Sequence, residues 1–180
     1  MDFEQQMANL ASILGKAKTE VKKLEQEALK LGEATMFTAS QVAGLQINLA
    51  KLGFNETEIL NSTRAILDFA AATGAALPEA AAVAGAALRA FNLDSSEMSR
   101  VVSTMAVSTT KTALDFEKLR TSVAITFPVA KAFGFTIEDT ITLLGKLSDA
   151  GFDASMAATA TRNILLNLAN PAGKLARTLG

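Results

Sequence analysis

The side chains that could do chemistry in this chain are hydroxyls, carboxylates and amines, because the chain contains no histidine and no cysteine. The usual neutral-pH general base, the thiolate nucleophile and the commonest zinc ligands are therefore missing. Serines and threonines are dense at 103–110, but a hydroxyl nucleophile needs an adjacent base, and none is evident. Glu56, Glu58, Glu138 and Asp139 stand at predicted helix starts, where acids act as caps. We predict no catalytic, cofactor-binding or metal-binding residue, and no enzymatic activity.

Motifs for phosphate, nucleic-acid and membrane binding are also missing. The step Gly145-Lys146 lacks the first glycine and the preceding strand of a phosphate-binding loop. The 17 basic and 18 acidic residues give a net charge of −1, so we predict no specific nucleic-acid binding. No stretch is long and apolar enough for a transmembrane segment, and the acidic N-terminus is unlike a signal peptide. With 49% hydrophobic residues, the composition is that of a folded globular chain.

Residues 3–31 have a heptad pattern of apolar residues, which predicts one long helix of about 45 Å with a single apolar seam. Mixed-sign charges lie between the seam residues, as on a solvated helix face. Two interpretations follow: the helix packs on its own domain, or it forms a coiled coil with another copy or another helix. In the second case self-association would use Met7, Leu10, Leu14, Val21, Leu24 and Leu31.

From Phe37 onward, an apolar residue followed by a helix-capping residue recurs along the chain. Phe37-Thr38 with Gln41 and Phe54-Asn55 with Glu58 fit capping boxes. Gly53, Gly134 and Gly151 stand where helices end in a left-handed residue. The further capping steps are Leu93-Asp94 with Glu97, Leu114-Asp115, Phe135-Thr136, Phe152-Asp153 and, with proline in the first turn, Leu77-Pro78.

These signals predict an all-α fold. The spacing of the steps leaves room for about seven to eight helices in loosely repetitive pairs. We predict a heptad-bearing helix at 1–32 and a compact multi-helix domain at 33–180.

The C-terminal third of the sequence resembles the helical region of phage tail tape measure proteins, and the likeness extends over residues 30–180. Several spaced elements carry it together, although the segment from Ala70 to Met105 is a looser match. They are Lys30 to Phe54, Phe133-Gly134-Phe135, Thr136 to Leu147, Ala150-Gly151-Phe152, Ala157 to Asn163 and Leu165 to Pro171.

The resemblance implies a structural fragment of a longer protein that takes part in tail assembly, tail length determination and DNA ejection. It implies tail tube and tail assembly chaperone proteins as partners. It also implies a place in the virion tail lumen, and in the host cytoplasm during assembly. Two alternatives remain: a general helical protein-interaction or adaptor domain and, as the resemblance also implies, a membrane-active helical domain.

Overall fold

The computed structural model describes residues 2–168, and within them the chain forms nine α-helices, two short 3₁₀ turns and no strand. The all-α prediction is confirmed. The element at 165–171 that contributes to the resemblance extends beyond these residues. The helices are α1 Phe3–Ile13, α2 Lys22–Ala34, α3 Ala39–Lys51, α4 Glu56–Thr73, α5 Leu77–Ala90, α6 Met98–Lys111, α7 Phe116–Ala132, α8 Ile137–Asp149 and α9 Ala154–Leu168.

The chain divides into two compact units. The first contains residues 2–85 and 94–102, and the second contains residues 86–93 and 103–168. In the first unit α1 and α2 each pack against α3, and α3 packs against α4. In the second unit α7 packs against α8 and α9, and α8 packs against α9. The units do not divide at residue 32, so separate folding of 1–32 and 33–180 stays a prediction, for which truncation is the direct test.

The predicted long N-terminal helix is wrong, because the heptad segment contains two α-helices. Helix α1 ends at Ile13, and Gly15 follows in the left-handed region with a φ of 66°. A 3₁₀ turn at Lys18–Glu20 then leads into α2. A continuous helix would need an α-helical Gly15, whereas glycine adopts positive φ at no steric cost and favours the observed turn. The apolar spacing of 3.5 residues continues across this break, so the heptad pattern alone did not reveal the break.

The seam residues are buried within the chain, so the predicted self-association through them is wrong. Met7, Leu10, Val21 and Leu24 have no exposed surface, and Leu31 is 2% exposed. Only Leu14, at the break after α1, is half-buried. The seam of α1 and α2 faces α3 within the first unit, and burying each such side chain contributes about 1.5–3 kcal/mol. The interpretation in which the heptad segment packs on its own domain is therefore the correct one.

The predicted capping steps position most helix starts. The side chains of Thr38, Asn55 and Thr136 each form a reciprocal capping box with the residue three positions later. Asp115 and Asp153 cap their helices by accepting from a backbone N–H three residues later, at 2.8 and 2.9 Å.

The step at Asp94 differs from the predicted capping box. Asp94 accepts a hydrogen bond from the backbone N–H of Ser96, and a 3₁₀ turn at Ser95–Glu97 precedes α6. Glu97 pairs with Arg100 instead of returning to the cap. An aspartate side chain closes such short turns as readily as a helix N-terminus, so the residue types did not distinguish the two outcomes.

One arrangement of four helices recurs after 98 residues. Helix α3 at 39–51 corresponds to α8 at 137–149, and the start of α4 at Glu56 corresponds to the start of α9 at Ala154. The last residues of α1 and α2 correspond in the same way to the last residues of α6 and α7. We call α1–α4 the first helix set and α6–α9 the second helix set.

The residues that define the turns recur in the same register. Gly53 and Gly151 have φ angles of 84° and 88°. The next residue in each case, Phe54 or Phe152, donates its N–H to the carbonyl five residues back, at 3.1 and 3.2 Å. This is the bond of a Schellman cap. Identical residues that share the register include Met7 and Met105, Phe37 and Phe135, Thr38 and Thr136, Thr63 and Thr161, and Arg64 and Arg162.

Candidate functional site

The hydroxyl-rich segment at 103–110 lies in α6 and is used for local structure. Thr109 and Thr110 donate their hydroxyls to the carbonyls of Ala106 and Val107 at 2.8 and 2.9 Å. Such bonds to the preceding helical turn are typical of serine and threonine within helices. The hydroxyls of Thr109 and Thr110 are therefore bonded to backbone carbonyls and not to a general base.

The acids singled out in the sequence are separated along the chain and serve as caps and ion-pair partners. Glu56 pairs with Lys16, and Glu58 closes the capping box with Asn55. Glu138 also has a partner within the chain. Among residues 2–168, no group of three or more acidic, histidine or cysteine side chains is placed to hold a metal ion.

Two carboxyl groups have lowered pKa values, and both are caps. The Thr136 hydroxyl donates to Asp139 Oδ2 at 2.6 Å, and together with the Thr136 backbone N–H it holds the pKa of Asp139 below its usual value. Hydrogen bonds from the Ser96 side chain and backbone lower the pKa of Asp94 in the same way. Hydrogen bonds to the charged form are a structural cause, so neither shift marks an acid–base centre.

The first helix set contains a groove that we call the α1–α3 groove. It encloses about 510 Å³ between α1, α3 and the segment that begins α5. Gln6, Gln41 and Asn48 contribute amides, and no charged residue lines it. Within the groove Gly44 leaves open space, since a Cβ there would meet nothing within 4 Å. Its remaining lining residues are Phe37, Ser40, Leu45, Ala75, Ala76, Leu77 and Pro78.

The second helix set contains a groove of similar size, the α6–α8 groove, which encloses about 480 Å³. Val107 and Ile141 provide its aliphatic surface, and Val107 is 56% exposed. Lys111 and Lys146 both line the groove and are exposed. The helices approach closely at Gly145, where an added Cβ would lie 3.0 Å from a Thr112 methyl carbon. The other lining residues are Ser103, Thr104, Ser108, Glu138 and Thr142.

The two grooves are built from corresponding helices and partly from corresponding positions. Each lies between the first and third helix of its set. The sequence analysis missed both, because a groove depends on how helices approach each other and not on a local motif. The lining positions related by 98 residues are Gln6 and Thr104, Ser40 and Glu138, Gly44 and Thr142, and Asn48 and Lys146.

A helix that crosses a membrane must be both long and apolar. Within residues 2–168 no single helix is both long and apolar enough to cross a bilayer. Helices α4 and α5 meet the criterion by length and composition only when they are taken together across the bend between them.

The sequence from residue 25 to residue 180 matches the family of phage-related minor tail proteins. The chain belongs to this family. The match covers the α6–α8 groove, the α1–α3 groove except for Gln6, and all helices of the described region except α1 and the start of α2. No solved structure matches the chain.

Two curated relatives of this minor tail protein chain carry more specific names. The chain is 28% identical over 178 residues to the tape measure protein of Pneumococcus phage Dp-1. It is 33% identical over 175 residues to the probable tape measure protein of Escherichia phage P2. These alignments cover 99% and 96% of the chain but only 16% and 22% of the relatives' lengths.

Proposed function

We propose that the chain is an architectural helical region of a phage tail tape measure protein, which takes part in tail assembly without enzymatic activity. The observation that carries the proposal is the family match over residues 25–180. The described residues support it, since their reactive groups serve as caps, ion pairs and helix hydroxyls. The chain holds no histidine or cysteine that would supply general-base or thiolate chemistry.

The proposed role in tail length determination belongs to the longer protein. A helix rises about 1.5 Å per residue, so the length of an extended helical protein can set the length of a structure that assembles around it. The helices described here have at most 18 residues and fold back on one another in compact units. We infer that this region contributes a folded module, and that length is set by other parts of the protein.

Tail tube subunits and tail assembly chaperones are the proposed partners, and the virion tail lumen is the proposed location. The host cytoplasm is the proposed location during assembly. A part in DNA ejection is proposed on the same family grounds.

Tail morphology in the phage that carries this gene tests the proposal. Leu49 in α3 has no exposed surface, so Leu49→Asp should disrupt the first unit by burying an unpaired charge. Lys51→Asp changes an exposed residue at the end of the same helix and is the control. We expect electron micrographs to show few or no complete tails with Leu49→Asp, and normal tails with Lys51→Asp. Complete tails of normal number with both variants would contradict an architectural role.

A further inference from the structure

The α6–α8 groove combines an aliphatic surface with cations that have no partner. Val107 and Ile141 both line the groove, where Val107 is 56% exposed and Ile141 is 2% exposed. Lys111 and Lys146 are both exposed, and neither takes part in an ion pair or a side-chain hydrogen bond within the described residues. An exposed aliphatic side chain beside unpaired cations is a chemically mixed surface of the kind that recognises an amphipathic partner.

The acids in the described part of the second unit form no ion pair with these lysines, because each has another interaction. In the described part of that unit every Asp and Glu caps a helix, bonds a backbone N–H, forms an ion pair or has another partner in the chain. They are Asp115, Glu117, Glu138, Asp139, Asp149 and Asp153. Glu138 also lines the groove, so its described lining holds two lysines that lack an ion pair and one acid that has another partner.

We propose that the α6–α8 groove binds an acidic amphipathic helical segment of a protein partner. Its apolar side chains, spaced three and four residues apart, would cover the exposed Val107 side chain. Its carboxylates would face Lys111 and Lys146, where complementary charge raises the association rate and fixes the register of binding. The inference depends on the chemistry of the groove and not on the tail role, so either proposal can fail while the other stands.

The same surface does not suit a nucleic acid or a lipid bilayer. Nucleic-acid binding draws its affinity from many phosphate contacts, whereas the groove offers two unpaired cations around an apolar surface. Peripheral membrane binding needs a broad apolar face or several adjacent basic residues. A concave groove between two helices fits one face of a helix better than a flat headgroup layer.

The first helix set provides a natural control for the charge requirement. In the 98-residue register, Lys146 corresponds to Asn48, Lys111 to Ile13 and Val107 to Asn9. The corresponding helices of the first set therefore accept uncharged residues at both lysine positions. A substitution that places the residue of one groove at the corresponding position of the other therefore uses a residue type that already occurs in the corresponding helix.

A designed peptide pair tests the proposal with the full chain. The probe is a labelled helical peptide of about 18 residues with leucines on one face, flanked by glutamates. Its twin carries lysines in place of the glutamates. We expect fluorescence anisotropy to show saturable binding of the acidic peptide, weakened by salt, and no comparable binding of the basic twin. The double variant Lys111→Ile/Lys146→Asn should weaken binding of the acidic peptide about five- to tenfold.

Two further variants keep the result independent of folding. Val107→Asn should weaken binding of the acidic peptide. It should leave the thermal midpoint of unfolding nearly unchanged, because Val107 is largely exposed. Asn48→Lys should not restore binding to the double variant, since the α1–α3 groove lacks the exposed valine. Equal binding of both peptides, or unchanged binding by the double variant, would overturn the proposal. Tighter binding of duplex DNA or of anionic phosphatidylserine vesicles than of the acidic peptide would also overturn it.

Discussion

At five buried positions the second helix set has a hydroxyl side chain where the first helix set has an aliphatic one. Three of these hydroxyls, on Ser122, Thr126 and Thr140, donate to backbone carbonyls, and the hydroxyl of Ser148 has no hydrogen-bond partner among the described residues. The same order and register of helices is therefore combined with chemically different buried side chains. The corresponding pairs are Leu10 and Ser108, Leu24 and Ser122, Ala28 and Thr126, Val42 and Thr140, and Ala50 and Ser148.

The difference shows which features specify the layout and which only stabilise it. Helix ends recur in register, as do the left-handed Gly53 and Gly151 and the caps at Thr38 and Thr136, whereas five buried side chains change from aliphatic to polar. Thr126 donates to the carbonyl of Ala158 at 3.1 Å, so one hydroxyl joins α7 to α9 directly. At these five positions polar groups replace apolar surface, and burial of apolar surface contributes about 25 cal/mol per Å². We therefore expect the second helix set to unfold more readily than the first.

Removal of residues 1–32 should have the largest effect. Helices α1 and α2 cover α3, and their loss exposes Val42, Leu45 and Leu49, which have no exposed surface in the intact chain. The lost burial is comparable with the whole stability of a small domain, about 5–15 kcal/mol. We expect circular dichroism to show loss of the cooperative transition of the first unit. The exposed-site variant Lys23→Ala should retain that transition. An unchanged transition in the shortened chain would instead support a domain that folds alone from residue 33.

Gly32→Ala should have the next largest effect. A Cβ on Gly32 would lie 2.5 Å from the backbone nitrogen of Ala39, so the start of α3 would have to move away from α2. We expect a loss of about 3 kcal/mol in unfolding free energy, measured by urea denaturation, as for other overpacked sites.

The corresponding residue in the second helix set is Ala130, which is fully buried and is accommodated there. Ala130→Gly should cost only about 1 kcal/mol, mainly through helix propensity. If the two substitutions had equal costs, the backbones of the two sets would approach equally closely, and the proposed distinction would fail.

The reciprocal pair Ala50→Ser and Ser148→Ala tests the difference in core polarity. Ser148 is 3% exposed and its hydroxyl has no partner, so its removal should stabilise the chain by about 1 kcal/mol. Ala50→Ser introduces a hydroxyl at the corresponding site and should destabilise by about 1–2 kcal/mol. Guanidinium denaturation of both variants measures the two changes. Destabilisation by Ser148→Ala would show that this hydroxyl is satisfied, for example by a bound water.

The helix starts were predictable from sequence because capping is local chemistry. Thr38, Asn55 and Thr136 lie within three residues of the groups that they bond. A residue's φ preference is equally local, which is why Gly53, Gly134 and Gly151 were assigned to helix ends. Gly15 carried the same signal, but the continuous heptad spacing suggested a helix through it, and the backbone preference prevailed.

The candidate site was not predictable in the same way. The α6–α8 groove depends on Gly145 meeting Thr112 across 33 residues of sequence, and no local pattern specifies that approach. The exposure of Val107 was also hidden, because an aliphatic residue in a helical pattern normally belongs to a core. The prediction of no catalytic residue depends on which residue types occur in the chain, and it stays a prediction.

The smallest expected effect concerns the two capping boxes, which differ in charge. Thr136 pairs with Asp139, whereas the corresponding Thr38 pairs with neutral Gln41. The folded-state pKa of Asp139 lies below its ordinary value of 3.8. Its stabilisation is therefore complete above that pH and is lost as the pH falls through the lowered pKa. Asp139→Gln should flatten this part of the acid dependence of the thermal midpoint, and Gln41→Asp should add a similar dependence to the first helix set. An unaltered acid profile in Asp139→Gln would assign the acid sensitivity to another group, such as Asp94, whose pKa is also lowered.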